Sequence, residues 1–145
     1  MTSSLRTTLA LVAVIAVSAV LPLAGAVLRG PRAERCQTDG VSLLEAPRVH
    51  VVRADGESHD FCCVRCATQW LDAIADVPQE IFVTDAISGD LVDAATATFV
   101  RSRIYAQPAT GDRVHAFATR AAAEQHADAY RGRVLDGESR PFGAR

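Results

Sequence analysis

The spacing of apolar residues in the first half of the body of the chain predicts a helix between two short strands. The strand candidates are 49–52 and 81–84. The residues that share one face of the predicted helix are Val64, Ala67, Leu71 and Ile74. Asp60 is placed to cap the start of this helix, and Pro78 ends it because proline cannot continue a helix.

The second half repeats this order of elements. Apolar and polar residues alternate over 98–105, which predicts a strand, and a further strand is predicted from His115 to Ala118. Thr119 follows as a helix N-cap, and the segment from Arg133 to Leu135 is predicted to be a closing strand. The sequence therefore predicts an α+β fold, a small two-layer sandwich of two related strand–helix–strand halves, preceded by an N-terminal apolar helix.

An apolar run near the N-terminus predicts export. The run covers 13 residues over 9–21, and the small residues that end at Ala26 are typical of a cleaved signal peptide. Extended to Leu28 the run has 20 residues, enough for an uncleaved membrane anchor. Both interpretations place the body of the protein outside the cytoplasm, in the periplasm or on the outer face of the cell membrane.

Composition and charge exclude several classes of function. The 145 residues carry a formal net charge of −2, and all 15 basic residues are arginines without a basic stripe, so no nucleic-acid partner is expected. No phosphate-binding glycine loop is present. No Ser–His–Asp order or metal-hydrolase motif stands out either, and we therefore expect a protein that is not an enzyme.

The candidate chemistry lies in the cysteines. Cys62, Cys63 and Cys66 stand where the first helix is predicted to begin, and Cys62 and Cys66 share a helix face at i, i+4. The free amide groups of a helix start favour thiolates, and a predicted hairpin from Val49 to Phe61 would bring Cys36 back to the same place. Three or four converging thiolates suit a soft ion, Cu(I) first and Zn(II) as the alternative.

Two other interpretations of these cysteines remain open. Outside the cytoplasm four cysteines commonly form two disulfides, which would make the domain a disulfide-stapled, non-catalytic binding module. Alternatively, Cys63 and Cys66 form a dithiol pair for thiol–disulfide exchange. Among the histidines, His59 is the candidate auxiliary metal ligand, because it is close in sequence to the cysteines.

Short motifs in a fixed order give the chain a family resemblance. They are Ile81-Phe-Val-Thr-Asp85, Ser88-Gly89, Ala97 to Ser102, Gln107 to Gly111, His115-Ala-Phe117 and Gly132-Arg-Val-Leu135. On these motifs residues 81–137 resemble NosL, an accessory copper-binding family of nitrous oxide reductase maturation. Residues 36–70 are similar to TRASH-type metal-binding segments. The residues that carry this second similarity are Cys36, Phe61, Cys62, Cys66 and Trp70.

The NosL resemblance implies a membrane-attached, extracytoplasmic copper(I) carrier with an α+β fold of two related halves. It also implies a copper site that combines a Cys-x-Met pair with a methionine in the loop corresponding to 107–111. In this chain Cys36 is followed by Gln-Thr-Asp, position 109 is alanine, and the single methionine is Met1. Any metal would therefore be held by thiolates.

These observations combine into one hypothesis, a soft-metal-binding accessory protein or metallochaperone. Its metal ligands would be Cys36, Cys62, Cys63 and Cys66, and its partners a metal-donating or metal-accepting protein and, through an uncleaved leader, the membrane. The expected domain borders are 1–28 for the signal peptide or anchor, 29–35 for a linker, 36–137 for the metal-binding domain and 138–145 for a flexible tail.

Overall fold

The structure is a computed structural model that describes residues 35–44, 47–74 and 77–143. The N-terminal apolar helix predicted from the sequence, with the leader as a whole, lies outside these described residues. Within the described ranges, no helix combines the length and the apolar character that a bilayer crossing requires.

The described chain contains seven short strands and two α-helices, and four consecutive strands separate the two helices. The strands are β1 (Val49–Val52), β2 (Ser58–Phe61), β3 (Glu80–Thr84), β4 (Leu91–Asp93), β5 (Thr98–Arg101), β6 (Val114–Phe117) and β7 (Arg133–Leu135). The helices are α1 (Val64–Ile74), α2 (Arg120–Ala129) and a 3₁₀ turn (Gly137–Ser139). One antiparallel sheet has the order β2-β1-β3-β4, and the other has the order β6-β5-β7.

The two halves of the molecule share one plan, which confirms the predicted α+β class. Each half has a hairpin, then a helix, then a strand that pairs with the first strand of the hairpin. The hairpin predicted from Val49 to Phe61 is confirmed, although the sequence assigned no bounds to its second strand. That strand has the polar sequence SHDF and lies at the edge of its sheet, so no apolar pattern marks it.

The start of α1 differs from the prediction. Asp60 is not the N-cap, because it lies in β2, where its Oδ1 is 2.9 Å from Nδ1 of His50. The helix begins at Val64, and Cys63 occupies the position before it. The Cys63 carbonyl oxygen accepts from the N–H of Ala67 at 3.3 Å, and its sulfur accepts from the N–H of Cys66 at 3.4 Å. Cysteine thus takes the place that the sequence assigned to aspartate.

In the second half, the expected helix cap is present and the expected strand is shorter. Thr119 Oγ1 accepts from the N–H of Ala122 at 3.3 Å, which confirms its N-cap role for α2. β5 ends at Arg101 rather than at 105. The N–H of Ser102 still donates across to the carbonyl of Arg113 at 3.1 Å. The N–H of Arg103 donates instead to the carbonyl of Tyr130 at 3.2 Å, so the chain leaves β6 after Ser102.

The core joins the two halves and contains the cysteines. The largest fully buried side chains include Phe61, Phe99, Phe117 and Leu71, and all four cysteines belong to the larger apolar cluster. Asp85 fastens the halves together. Its carboxylate accepts from the N–H of Ser88 and from the N–H of Ala118, each at 2.9 Å. The turn after β3 is therefore tied to the end of β6.

The segment expected as a tail makes specific contacts up to Phe142. One nitrogen of Arg140 donates to the carbonyl oxygens of Ala94, Ala95 and Ala97 at 2.7, 2.6 and 3.0 Å. The ring of Phe142 meets that of Phe99 edge to face, with centroids 6.0 Å apart. The packed part of the chain thus extends past residue 137.

Candidate metal centre

Two separate pieces of chain bring the cysteines together. Cys36 lies in a tight turn closed by a bridge between Arg35 and Ser42, and its N–H donates to the carbonyl of Val41 at 2.8 Å. The other cysteines stand at the passage from β2 to α1, with Cys66 in the first turn of the helix. Because β2 is hydrogen-bonded to β1 along its length, this passage is held at the edge of the first sheet.

Four side chains form a compact ligand set, and this set is the candidate metal centre. The ligand atoms of Cys36, Asp39, Cys62 and Cys66 all lie within 4.8 Å of one another. The sulfurs of Cys62 and Cys66 are 3.8 Å apart. The three cysteines are buried, while Asp39 is exposed. Three sulfurs and one oxygen at these distances can close around a single ion of soft or borderline character.

Asp39 is the member of this centre that sequence reasoning missed. Its Oδ2 lies 3.2 Å from the sulfur of Cys66 and 3.5 Å from the sulfur of Cys62, and its Oδ1 accepts from the N–H of Val41 at 3.0 Å. The signal was present as Cys36-Gln-Thr-Asp39-Gly40, a turn sequence that folds the carboxylate back over the first cysteine. An aspartate three residues from a cysteine is too common to be identified as a ligand by sequence.

Burial and hydrogen bonding set the charge of the centre without metal. Burial raises the pKa of the Cys62 thiol well above its usual range, and the neighbouring cysteines add to the effect. The pKa of Cys66 is likewise raised by burial and then by its hydrogen bond to Asp39. Burial works against ionisation of Asp39, but bonds from the Val41 N–H and from the thiols outweigh it and lower its pKa. The metal-free centre therefore holds thiols around one carboxylate.

Cys63 lies beside the metal centre and outside the four-residue set. Its sulfur is 3.9 Å from that of Cys62 and 3.4 Å from the hydroxyl oxygen of Thr110. It is buried like the other cysteines, and all four are free thiols. Of the four predicted cysteine ligands, the structure thus gathers three with Asp39 and places the fourth in contact with one of them.

His59, the predicted auxiliary ligand, is not part of the four-residue set. It lies in β2, and its ring packs on Trp70 with centroids 4.5 Å apart. Its Nε2 is 3.7 Å from Oε2 of Glu57. Trp70 also packs against Phe61, at 5.3 Å between centroids, so both aromatic contacts support the helix that carries Cys66.

Comparison with known proteins decides the family. The family model NosL matches residues 31–139, well over half of the chain and all four cysteines. The chain belongs to the NosL family. The resemblance expected over 81–137 is thereby confirmed, and the NosL match extends it across the cysteine segment that resembles TRASH-type sequences.

A solved NosL structure supports the same fold. The chain is similar to the copper chaperone NosL from Shewanella denitrificans at 22% sequence identity, with a TM-score of 0.59. The similarity covers 69% of this chain and 84% of that chain. No curated protein matches the chain. The structural likeness confirms the α+β architecture shared with NosL.

Proposed function

We propose that this protein is an extracytoplasmic copper carrier that holds Cu(I) through the thiolates of Cys36, Cys62 and Cys66. The observation that carries the proposal is the convergence of their sulfurs with a carboxylate oxygen of Asp39 within 4.8 Å. Thiolates are soft ligands and favour Cu(I) strongly, whereas the carboxylate oxygen also suits Zn(II), which is the alternative cargo.

Family and burial support a carrier rather than a catalyst. The similar NosL from Shewanella denitrificans is named a copper chaperone. The candidate ligands are buried at the edge of a sheet, where Cu(I) is shielded from water, and no reacting group is needed for a protein that only binds and releases an ion. Loading and release of the ion both require a partner protein, which donates the ion or accepts it. No role for nucleic acid is proposed.

The remaining parts of the chain have simpler proposed roles. The metal-binding domain comprises residues 36–137, joined through a linker at 29–35 to the leader at 1–28. The leader directs export, and if it is retained it also anchors the domain to the membrane. Either outcome places the metal centre where copper proteins outside the cytoplasm are supplied.

Metal loading of the purified chain tests the proposal. The protein, purified anaerobically under reducing conditions, is expected to bind about one Cu(I) per chain with X-ray absorption typical of copper–sulfur bonds. Cys36→Ser, Cys62→Ser and Cys66→Ser should each weaken binding roughly a hundredfold or more, because each removes a thiolate from a three-thiolate site. Cys63→Ser is the matched control, an equally buried cysteine outside the four-residue set.

The same preparation separates the alternatives. A disulfide-stapled module would show no copper and no reactive thiols until it is reduced under denaturing conditions. A thiol–disulfide protein would exchange disulfides through Cys63 and Cys66, and the Cys36→Ser variant would retain that activity. Against exchange chemistry, burial raises the pKa of Cys66 and so disfavours the thiolate that attacks a disulfide. Absence of copper binding under reducing conditions would refute the carrier.

A further inference from the structure

A cleft of about 580 Å³ opens between the two halves next to the metal centre. One wall contains the end of β3 and the turn at 85–89, and the other contains Tyr105, Ala106 and residues of β6. Of the four cysteines, Cys63 is the one in the lining of this cleft. The volume of the cleft falls within the range of sites that enclose a ligand, so the cleft can admit a side chain from another molecule.

The turn that carries Cys36 and Asp39 forms part of the metal centre, and none of its residues lines the cleft. The N–H of Gly40 donates to the carbonyl of Cys36 at 2.9 Å, and the hydroxyl of Thr38 donates to the carbonyl of Cys66 at 3.1 Å. The first bond closes the turn, and the second ties it to the start of α1. The exposed ligand in this turn is Asp39, whose oxygens are hard ligands and attract Cu(I) weakly. A soft ligand from outside therefore has its approach through the cleft.

Cys63 is placed to connect the metal centre to the cleft. Its sulfur lies 3.9 Å from that of Cys62. Two sulfurs can bind the same ion when they are up to ~4.6 Å apart, because each metal–sulfur bond measures about 2.3 Å. The N–H of Cys66 and the hydroxyl of Thr110, each 3.4 Å from the Cys63 sulfur, hold it in the lining of the cleft.

We propose that Cys63 is the transfer ligand, which takes the ion from the metal centre and presents it in the cleft to a cysteine thiolate of a partner protein. The inference rests on the proposed copper-carrier function and adds the route by which the ion leaves. The cleft rim favours a partner whose cysteine is surrounded by apolar residues, because Ile87 and Tyr105 are 73% and 51% exposed there.

The transfer is ligand exchange without a change of oxidation state. A copper–sulfur bond to Cys63 forms as the thiol of Cys63 loses its proton, and the bond to Cys62 breaks as that thiolate takes up a proton. The partner's thiolate then binds the ion from the cleft side, and the remaining bonds to this chain break in turn. Each thiolate that releases copper takes up one proton, and each thiol that binds copper gives one up. Delivery from three thiolates to one partner thiol therefore takes up two protons from water, and with these the charges balance.

Transfer kinetics of the copper-loaded, full-length chain test this route. The probe is the tripeptide Gly-Cys-Gly in excess, and the signal is the decay of the copper–thiolate absorbance in stopped flow. Cys63→Ser is expected to slow transfer about tenfold to a hundredfold, because the transition state of transfer loses one ligand that stabilises it. Its equilibrium affinity for Cu(I), measured by chelator competition, should change less than about threefold, since the four-residue set stays complete.

Obstruction of the cleft gives an independent test. Ala106→Trp should slow transfer while affinity is kept, and Ala86→Trp on the facing wall serves if the first variant does not fold. Ala121→Trp is the control, since Ala121 is an exposed residue of α2 outside the cleft lining.

Three results would overturn the transfer role and leave the carrier function intact. The first is a loss of affinity in Cys63→Ser as large as in Cys62→Ser, which would make Cys63 a resident ligand. The second is slow transfer in Asp39→Asn with normal transfer in Cys63→Ser, which would place the exit on the Asp39 side. The third is a stable dimer of the loaded chain, dissociated by Ala106→Trp, which would assign the cleft to a second copy. Failure of the unmodified chain to bind copper would instead refute the carrier itself.

Discussion

The carboxylate of Asp39 accepts a hydrogen bond from the thiol of Cys66, with 3.2 Å between Oδ2 and Sγ. The same oxygen lies 3.5 Å from the sulfur of Cys62. One carboxylate thus contacts two thiols that we propose as copper ligands, and it is the exposed member of an otherwise buried centre. Its effect on the bound ion depends on whether that ion prefers oxygen or sulfur.

Asp39→Asn is expected to change metal preference more than total binding. Zn(II) affinity should fall roughly tenfold to a hundredfold, because a charged oxygen ligand is lost. Cu(I) affinity should change less than about threefold, because the three thiolates remain. Competition with a chelator of known affinity for each ion measures both values.

Asp55→Asn is a matched control for that substitution. The Asp55 side chain accepts from an N–H two residues on, that of Glu57, at 3.0 Å, as Asp39 accepts from Val41 at the same distance. It contacts no cysteine. An equal change in Zn(II) affinity in both variants would mean that Asp39 acts on the fold of its turn and not on the ion.

Metal affinity should rise steeply with pH. Burial raises the pKa values of Cys62 and Cys66, so these thiols hold their protons at neutral pH and copper must displace them. Between pH 6 and 8 the logarithm of the affinity is expected to rise by at least about two for each pH unit, because Cys62 and Cys66 each release one proton on binding. Competition with a pH-corrected chelator measures this profile. A flat profile would show that the thiols keep their protons when the ion binds, or that other ligands hold the ion.

The elements of the two halves could be predicted well from the sequence because their helices have a repeating apolar face. Thr119 caps α2 as expected, and β1, β3 and β6 lie within a residue of their predicted borders. The bounds of β2, the second strand of the predicted hairpin, could not be assigned because an edge strand needs no apolar alternation. Without these bounds the start of α1 was shifted and the cap was assigned to Asp60.

The metal centre could be predicted only in part, for a different reason. The three proposed thiolate ligands follow from cysteine spacing, since Cys62 and Cys66 are four residues apart and Cys36 is the remaining cysteine upstream. Asp39 and the cleft beside Cys63 depend on how a turn folds and how two halves meet. Such long-range placement has no local sequence signature.

A stacked histidine pair should make the metal-free protein sensitive to mild acid. His115 and His126 have ring centroids 4.5 Å apart, and burial lowers the pKa of each, with further lowering at His126 from the neighbouring ring. Stability from a lowered pKa is present above the ordinary value of about 6.5 and is lost as pH falls through the folded-state pKa. The free energy of unfolding should therefore decrease from pH 7 to pH 5.

His126→Phe checks the origin of that decrease. In the parent protein the ring centroids of His126 and Phe117 are 5.0 Å apart. Phenylalanine at position 126 keeps an aromatic ring against Phe117 but cannot take up a proton. Urea unfolding of the metal-free variant should depend less on pH between 7 and 5 than that of the parent. An unchanged slope would assign the pH dependence to other groups.

The junction between the halves should depend on Asp85. Its buried carboxylate accepts from the N–H groups of Ser88 and Ala118. Asp85→Ala leaves both donors without this partner, so we expect a loss of about 2–4 kcal/mol in the free energy of unfolding. Asp90→Ala, an exposed position in the same turn, should change it by no more than about 0.5 kcal/mol.

Acid provides a second, independent signature of the same group. Burial alone would raise the pKa of Asp85, but the backbone N–H groups of Ser88 and Ala118 outweigh it and lower that pKa below its ordinary value of 3.8. The resulting stability is present above this value and disappears as pH falls further, and Asp85→Ala should lack that component. Because Asp85 lines the cleft and not the metal centre, copper affinity at neutral pH should stay at the parental level in any variant that remains folded. A variant that loses copper affinity while still folded would show that the junction shapes the metal centre as well as the cleft.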